Sequence, residues 1–541
     1  MSVAVPAATE SLVAEAVGMD SGGQRLLQPT SITVRPGELV ALIGPSGSGK
    51  TTLLKALAGV SDPTTGRVVL GEDNVSARST DIGYLPVGDT VHPQLTVREA
   101  LEYTAELRLP TDLGRDGRRA RVQETMEELR LVDRAGTRVG DLSNGERKRA
   151  ACAVELIGRP AVLLLDEPAS GLDPGLERRL MTMLRGVADQ GRGVVVVTHA
   201  TSSLALCDTV AVMGPGGYLR VAGPPGEVAA HFGVSAFDQI YDALADEPPP
   251  AVPDELPELP YAPPREATYV VGAFGRQAAV LTSRYARCLL REGRTLRVLL
   301  LQAPVIALCI GFVLPRNVLS GGALASFYGV LLSFLLVTGA VWLGTTSACR
   351  EIVKERVILE REAAAGVRLD AYLVAKVTVL FALTFVQVAM LVAVTVALQP
   401  LNAEPDVYLK VGAICVLSAW TSVGVALVLS ARARTADQAS SAVPLLLLPQ
   451  LLFAGAIIPT SVMPFPIQVL SQLTYSRWAV VGNGNAIGLD QTLSGDVSSV
   501  AGYERAFFAQ PPSVAAAALL LFLALSIVAV GFSVNRRISE A

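Results

Sequence analysis

The pattern of apolar positions changes character near Leu296. Before that point short apolar runs alternate with mixed stretches of helical spacing. Glu38–Ile43, Val162–Leu165 and Val194–Val197 are the clearest runs. They are short and aliphatic, and so predict central strands covered on both faces. Strands alternating with helical stretches over residues 1 to about 235 predict a parallel α/β domain. Beyond Leu296 come six long apolar segments: Val298–Leu314, Phe327–Thr346, Val377–Leu398, Val411–Leu429, Ala442–Met463 and Val514–Val534. Each approaches the roughly twenty residues that cross a hydrocarbon core about 30 Å thick. The first is short and carries Pro304. The fifth carries Pro444, Pro449 and Pro459, which predicts a kinked or partly re-entrant span.

Between the halves, Asp246–Pro264 holds eight prolines and several acids with little to bury, which predicts an extended, solvated linker. Phe274–Arg297 then places Arg284, Arg287, Arg291 and Arg294 at helical spacing among Val280, Leu281, Cys288 and Leu289. That pattern predicts a basic amphipathic helix on a lipid surface, with an ordinary solvated helix as the alternative. The chain thus divides into a domain over residues 1–235, a linker over 236–270, and a connecting helix with six spans over 271–541.

Composition agrees with a membrane protein. The 541 residues are 51% apolar, and the mean hydropathy is +0.44. The net charge of −4 says nothing about nucleic acid, and no basic domain points to a nucleic-acid partner. Cys152, Cys207, Cys288, Cys309, Cys349 and Cys415 are scattered and show neither a metal-binding nor a disulfide pattern. Glu10 and Glu15 near the start interrupt any secretory signal, so the first domain is expected in the cytosol. Arg350, Lys354, Arg356, Arg361 and Arg368 lie between spans two and three. Arg432 and Arg434 lie between spans four and five, and Arg536 and Arg537 follow span six. The positive-inside bias then places both termini in the cytoplasm and makes Pro464–Pro512 the one long external loop.

The chemistry lies in the first domain. Gly44-Pro45-Ser46-Gly47-Ser48-Gly49-Lys50-Thr51 fits G-x-x-x-x-G-K-[ST] between a strand and a helix. Such a loop wraps backbone N–H groups around phosphates at the positive end of a helix dipole. Gly44, Ser46, Gly47, Gly49, Lys50, Thr51 and Thr52 are therefore candidate nucleotide contacts, with Lys50 on the β- and γ-phosphates and Thr51 on Mg²⁺. Asp166 ends an apolar strand, where it can hold Mg²⁺, and Glu167 follows as a candidate base for the attacking water.

Leu142-Ser143-Asn144-Gly145-Glu146 resembles the signature motif of ABC transporters, and Ser170-Gly171-Leu172-Asp173 and His199 resemble its D-loop and switch histidine. The resemblance spans nearly the whole chain. With the ATP-binding domain ahead of the membrane domain, it looks like a G-subfamily half-transporter. Glu355-Arg356, Arg361-Glu362 and Arg477-Trp478 add to that likeness. The resemblance implies an ABC-type P-loop NTPase domain with a helical subdomain, followed by an all-α six-helix transmembrane domain. It implies ATP and Mg²⁺ as ligands, and Glu167 with His199 as the hydrolytic residues. It also implies a second half-transporter as partner, in a homodimer whose Ser143 and Gly145 cap the phosphate held by the other subunit's Lys50.

Three positions depart from the pattern. Val87 replaces an expected glutamine in Tyr84–Asp89, a residue that ordinarily touches Mg²⁺; Asp89 is a possible substitute. No aromatic precedes Tyr84 to stack on adenine, which leaves Met19 or Arg25 for the base, and Asn144 replaces a signature glycine. Arg350–Arg368, with alternating charges, predicts a rigid helix with internal ion pairs that by resemblance transmits closure of the ATP domains, with a passive positive-inside loop as the alternative. Spans with almost no charge favour an apolar or amphipathic cargo, lipid-like or drug-like, over an ion. Gln302, Gln387 and Gln450 are assigned to hydrogen bonding within the bundle. The leading reading is an ATP-driven exporter in the plasma membrane. The alternatives are a weakly active half of a heterodimer and an ATP-gated regulator.

Overall fold

The computed structural model describes residues 10–88, 90–246, 273–315, 325–401, 403–493 and 503–539. Most of the proline-rich segment and Asp89 fall outside them. Two units pack separately: residues up to Val280 with Val357–Arg368, and Leu281–Arg356 with Leu369–Glu540.

The first unit holds ten strands: β1 (Leu12–Ser21), β2 (Gln24–Val34), β3 (Leu39–Ile43), β4 (Thr65–Leu70), β5 (Asp73–Asn74), β6 (Ile82–Leu85), β7 (Val162–Asp166), β8 (Gly193–Val197), β9 (Thr209–Gly214) and β10 (Tyr218–Gly223). Its helices are α1 (Lys50–Leu57), α2 (Val97–Arg108), α3 (Gly114–Glu128), α4 (Asn144–Leu156), α5 (Pro174–Ala188), α6 (Pro225–Phe232) and α7 (Gln239–Asp246). Strands β10-β9-β3-β8-β7-β6 form one sheet, parallel except for β10, and β2-β1-β4-β5 form a second, antiparallel sheet. The three apolar runs are β3, β7 and β8, and every residue in these strands is buried. Alternating outlets on both faces leave such strands no polar side, which is why their sequences are continuous aliphatic runs. Leu12, Leu27, Leu42, Leu53, Leu164 and Val195 join the two sheets and α1 in one core. Helix α7 begins within the stretch expected to be linker.

In the second unit α8 (Ala273–Arg291, begun in the first unit) leads to α9 (Gly293–Val313), α10 (Ala325–Ala348), α12 (Leu369–Leu398), α13 (Pro405–Arg432), α14 (Ala436–Ser441), α15 (Val443–Leu452), α16 (Phe465–Gln472), α17 (Tyr475–Ala486), α18 (Leu489–Thr492), α19 (Arg505–Phe508) and α20 (Pro512–Ser539). Helix α11 (Arg356–Ala364) lies between α10 and α12 in sequence. Five of these helices are long and apolar enough to cross a membrane. Helices α10 and α13 approach so closely that a Cβ on Gly344 would meet the Ala419 carbonyl oxygen at 2.3 Å. Close backbones, with Thr345 Oγ1 and Ser422 Oγ 2.6 Å apart, replace the hydrophobic effect that lipid cannot supply. Gln302, Gln387 and Gln450 all take bundle partners: Thr346, Ser347 with the Leu299 carbonyl, and Ser476.

The fifth apolar segment is broken, as its prolines predicted: α15 runs only ten residues, about 15 Å, with Pro449 inside it. Three expectations are corrected. Within Pro464–Pro512 the described residues form α16, α17, α18 and α19, and α17 is buried, with Ser333 Oγ donating to the Val480 carbonyl at 3.1 Å. Arg284 on α8 is buried, not laid on a lipid surface. The charged stretch Arg350–Arg368 is a 3₁₀ turn at Val353–Glu355 followed by α11, not one rigid helix. Its ion pairs reach Lys376, one residue ahead of the third apolar run. Lys376 is 1% exposed, with Nζ 2.6 Å from Glu355 and 3.5 Å from Glu351, above the Tyr285 ring at 3.7 Å. The hydropathy pattern gave no sign of that buried charge.

Candidate functional site

Strands β3, β8 and β7 are neighbours and parallel, so the residues after their carboxyl ends meet at one edge of the sheet. After β3 the chain enters the Gly44–Thr51 loop, where Gly47 and Gly49 have φ near 80°. Gly44 has φ 148°, and a Cβ there would lie 2.2 Å from the Met213 carbonyl oxygen, so no larger residue fits. Lys50 is buried, and its Nζ donates to the Gly44 and Pro45 carbonyls at 2.8 and 2.7 Å. Burial lowers its pKa, opposed by the Glu167 and Asp166 charges. Ser46 and Gly47 lie in the exposed arc of the loop, and Thr51 and Thr52 in the first turn of α1.

After β7, burial raises the Asp166 pKa above 3.8, opposed by a hydrogen bond from the Thr51 side chain and reinforced by Glu167. Glu167 has φ 48°, a left-handed backbone that costs a non-glycine residue about 1–3 kcal/mol. That turn is held by its own N–H, which donates to the Val197 carbonyl at 3.1 Å. After β8, His199 Nε2 lies 3.2 Å from Glu167 Oε1. Lys50, Thr51, Asp166, Glu167 and His199 thus gather at one place, as the motif order implied. Asp166 Oδ1 is buried with no hydrogen-bond partner among the described residues. An anionic oxygen without a protein donor, beside a hydroxyl, fits Mg²⁺.

Ser143 and Gly145 lie apart from that cluster. Ser143 caps α4 in a reciprocal box with Glu146, its N–H donating to Glu146 Oε2 at 3.0 Å. That bond, with Arg134, holds the Glu146 carboxyl below its usual range. Both signature residues border an open groove of about 860 Å³ along α4 and α5. Of the base candidates, Met19 packs on the core and Arg25 pairs with Asp20 across the β1–β2 turn.

Val87, at the glutamine position, is half exposed. Three residues on, the Thr90 carbonyl accepts a hydrogen bond from Arg361 Nη1 of α11 at 2.6 Å. Arg361 is 4% exposed and sits 3.5 Å from Glu155 and 3.3 Å from Glu362. Glu155, 2% exposed, also takes a two-pronged contact from Arg108 at 2.8 and 3.3 Å. This buried network ties α2, α4 and α11 to the stretch that follows Val87. Sequence reading named Arg361 but missed Glu155 and Arg108, which lie far apart along the chain and match no motif.

The ABC transporter family pattern matches residues 27–170, and the ABC-2 type transporter pattern matches residues 276–483. The chain belongs to the ABC transporters. Its ATP-binding domain precedes an ABC-2 type membrane domain, the arrangement of the G subfamily. The ABC transporter ATP-binding/permease protein Rv1747 of Mycobacterium tuberculosis is 36% identical over 503 residues, covering 88% of this chain and 57% of that protein. ABC transporter G family member 4 of Arabidopsis thaliana is 29% identical over 380 residues, 65% of this chain and 64% of the plant protein. Member 26 of the same plant family is 41% identical over 189 residues, 34% of this chain and 28% of that relative. The chain thus spans less than two thirds of the length of each of these relatives.

Proposed function

We propose that this ABC transporter is an ATP-driven exporter that works as a pair of identical half-transporters. The observation that carries the reading is the Glu167–His199 contact of 3.2 Å at the sheet edge that also holds Lys50 and Asp166. Lys50 exchanges the Gly44 and Pro45 carbonyls for the β- and γ-phosphates of ATP. Glu167 polarises a water in line with the γ-phosphate, and His199 orients that carboxylate and water. When bound at Thr51 and Asp166, Mg²⁺ would neutralise charge developing on the phosphates. Ser143 and Gly145 of each subunit close on the nucleotide of the other, at an α4 N-terminus whose dipole favours an anion.

The positive-inside bias supports cytoplasmic termini, and the spans with almost no charge support an apolar or amphipathic cargo. A second reading, a weakly active half of a heterodimer, draws on Val87, which offers neither a Mg²⁺ ligand nor a water contact. The deciding experiment is Mg²⁺-dependent ATPase activity of the purified chain alone in lipid nanodiscs, beside Glu167→Gln. Turnover lost in the variant with ATP binding kept supports the self-sufficient exporter. A silent wild-type chain supports the heterodimer, and full activity in the variant removes Glu167 from catalysis.

A further inference from the structure

Helix α7 brings a side chain to the ATP site that belongs to none of the motifs. Ile240 and Leu244, four residues apart, are 0% and 1% exposed and anchor the helix to the first unit. Ser235 N–H donates to Gln239 Oε1 at 3.2 Å and fixes where the helix starts. Tyr241 is thereby aimed at two parts of the site at once. Its ring lies 6.5 Å from the His199 ring, centroid to centroid, tilted by 31°. Its hydroxyl is buried, faces the backbone N–H of Gly44, and closes no hydrogen bond of good geometry among the described residues.

A tyrosine that only filled space here would do so better as phenylalanine. Ile240 and Leu244 already hold the helix, and a buried hydroxyl without a partner forfeits its hydration for nothing. Its place is between the two elements whose separation matters for hydrolysis. Gly44 opens the phosphate loop with no room for a side chain beside Met213, and His199 contacts Glu167. We propose that Tyr241 is a positioning residue of the ATP site, bracing the His199 ring against the first glycine of the phosphate loop. The inference rests on the reading of Glu167 and His199 as the hydrolytic pair.

The test uses the full chain in nanodiscs, with Tyr241→Leu, Tyr241→Phe, His199→Ala and the double variant His199→Ala/Tyr241→Leu. Each is assayed for ATPase kcat and for the Kd of a fluorescent ATP analogue. Tyr241→Leu is expected to lower kcat about tenfold, short of the roughly hundredfold that an ångström of misplacement costs, with Kd within about threefold of wild type. Tyr241→Phe keeps the ring against His199 but loses the hydroxyl that faces Gly44, and is expected to fall between Tyr241→Leu and wild type; wild-type kcat in Tyr241→Phe overturns the brace to Gly44. The double variant should match His199→Ala alone, because the tyrosine acts through the histidine. Wild-type kcat in Tyr241→Leu overturns the proposal. So does a loss that adds in full to that of His199→Ala, or a Kd that collapses in step with kcat. If His199→Ala itself turns over normally, or the wild-type chain is inactive, the reading of the site has failed and the proposal falls with it. Failure of the proposal alone appears only against an impaired His199→Ala control.

Discussion

Removing the Glu155 carboxylate tests whether the buried network around Arg361 stabilises the ATP unit. Glu155→Ala takes away the partner of Arg108 at 2.8 Å and the neighbour of Arg361 at 3.5 Å. The gross attraction of a pair 2.8 Å apart is about 6 kcal/mol at an effective dielectric of 20. Stranding buried charge typically costs about 3–5 kcal/mol, and Glu362 at 3.3 Å compensates only Arg361. Against a domain stability of about 5–15 kcal/mol, that is a large fraction. Trp342, Trp420 and Trp478 are the chain's three tryptophans, and all lie in the second unit, so their fluorescence does not report this loss. Hydrogen exchange of peptides from α4 does. Amides protected through opening of this unit should exchange roughly 150- to 5,000-fold faster in the variant. Glu155→Gln, which keeps hydrogen-bonding oxygen and shape, should fall between. Exchange in Glu155→Ala within about threefold of wild type would refute the reasoning and leave the network energetically neutral.

Val87→Gln supplies the side chain that the family pattern expects at this position and should raise Mg²⁺-dependent turnover; unchanged activity and metal dependence would mean that position is compensated elsewhere. Asp166→Asn should abolish Mg²⁺-dependent turnover without destabilising the nucleotide-free unit. A carboxylate whose folded pKa is raised above 3.8 contributes stability below that value and loses it as pH rises through the folded pKa, so the variant's advantage near neutrality should vanish in acid. Unfolding measured against pH checks the sign. Lys376→Met leaves Glu351 and Glu355 without the ammonium 3.5 and 2.6 Å away, and should destabilise the membrane unit by about 3–5 kcal/mol. Tryptophan fluorescence reports that unit directly, through Trp420 stacked on Phe381 at 4.7 Å.

Local signals carried far along this chain. The phosphate loop, the Asp166-Glu167 strand end and the aliphatic strands were legible because each is a short contiguous pattern whose chemistry needs no distant partner. Four of the six apolar segments fall inside long helices, and all but the last residue of the first falls in α9, since twenty apolar residues have few alternatives in a bilayer. The fifth forms only the ten-residue α15, as its prolines signalled, because Pro449 and the turns after Leu452 keep its apolar residues from sharing one helix. Tyr475–Ala486 is too short and too mixed in polarity to announce a buried helix in the sequence, yet α10, α13 and α20 bury it.

By itself the sequence determined the order of domains, the nucleotide chemistry and the number of apolar stretches. Only the tertiary structure decided which isolated residues became partners. Glu155 with Arg108 and Arg361, Lys376 with Glu351 and Glu355, and Tyr241 beside His199 and Gly44 are pairs brought together by packing across tens to hundreds of positions. The physical reason is that a motif is set by local backbone geometry. A buried charge or hydroxyl instead takes its meaning from whatever the fold places within a few ångströms of it.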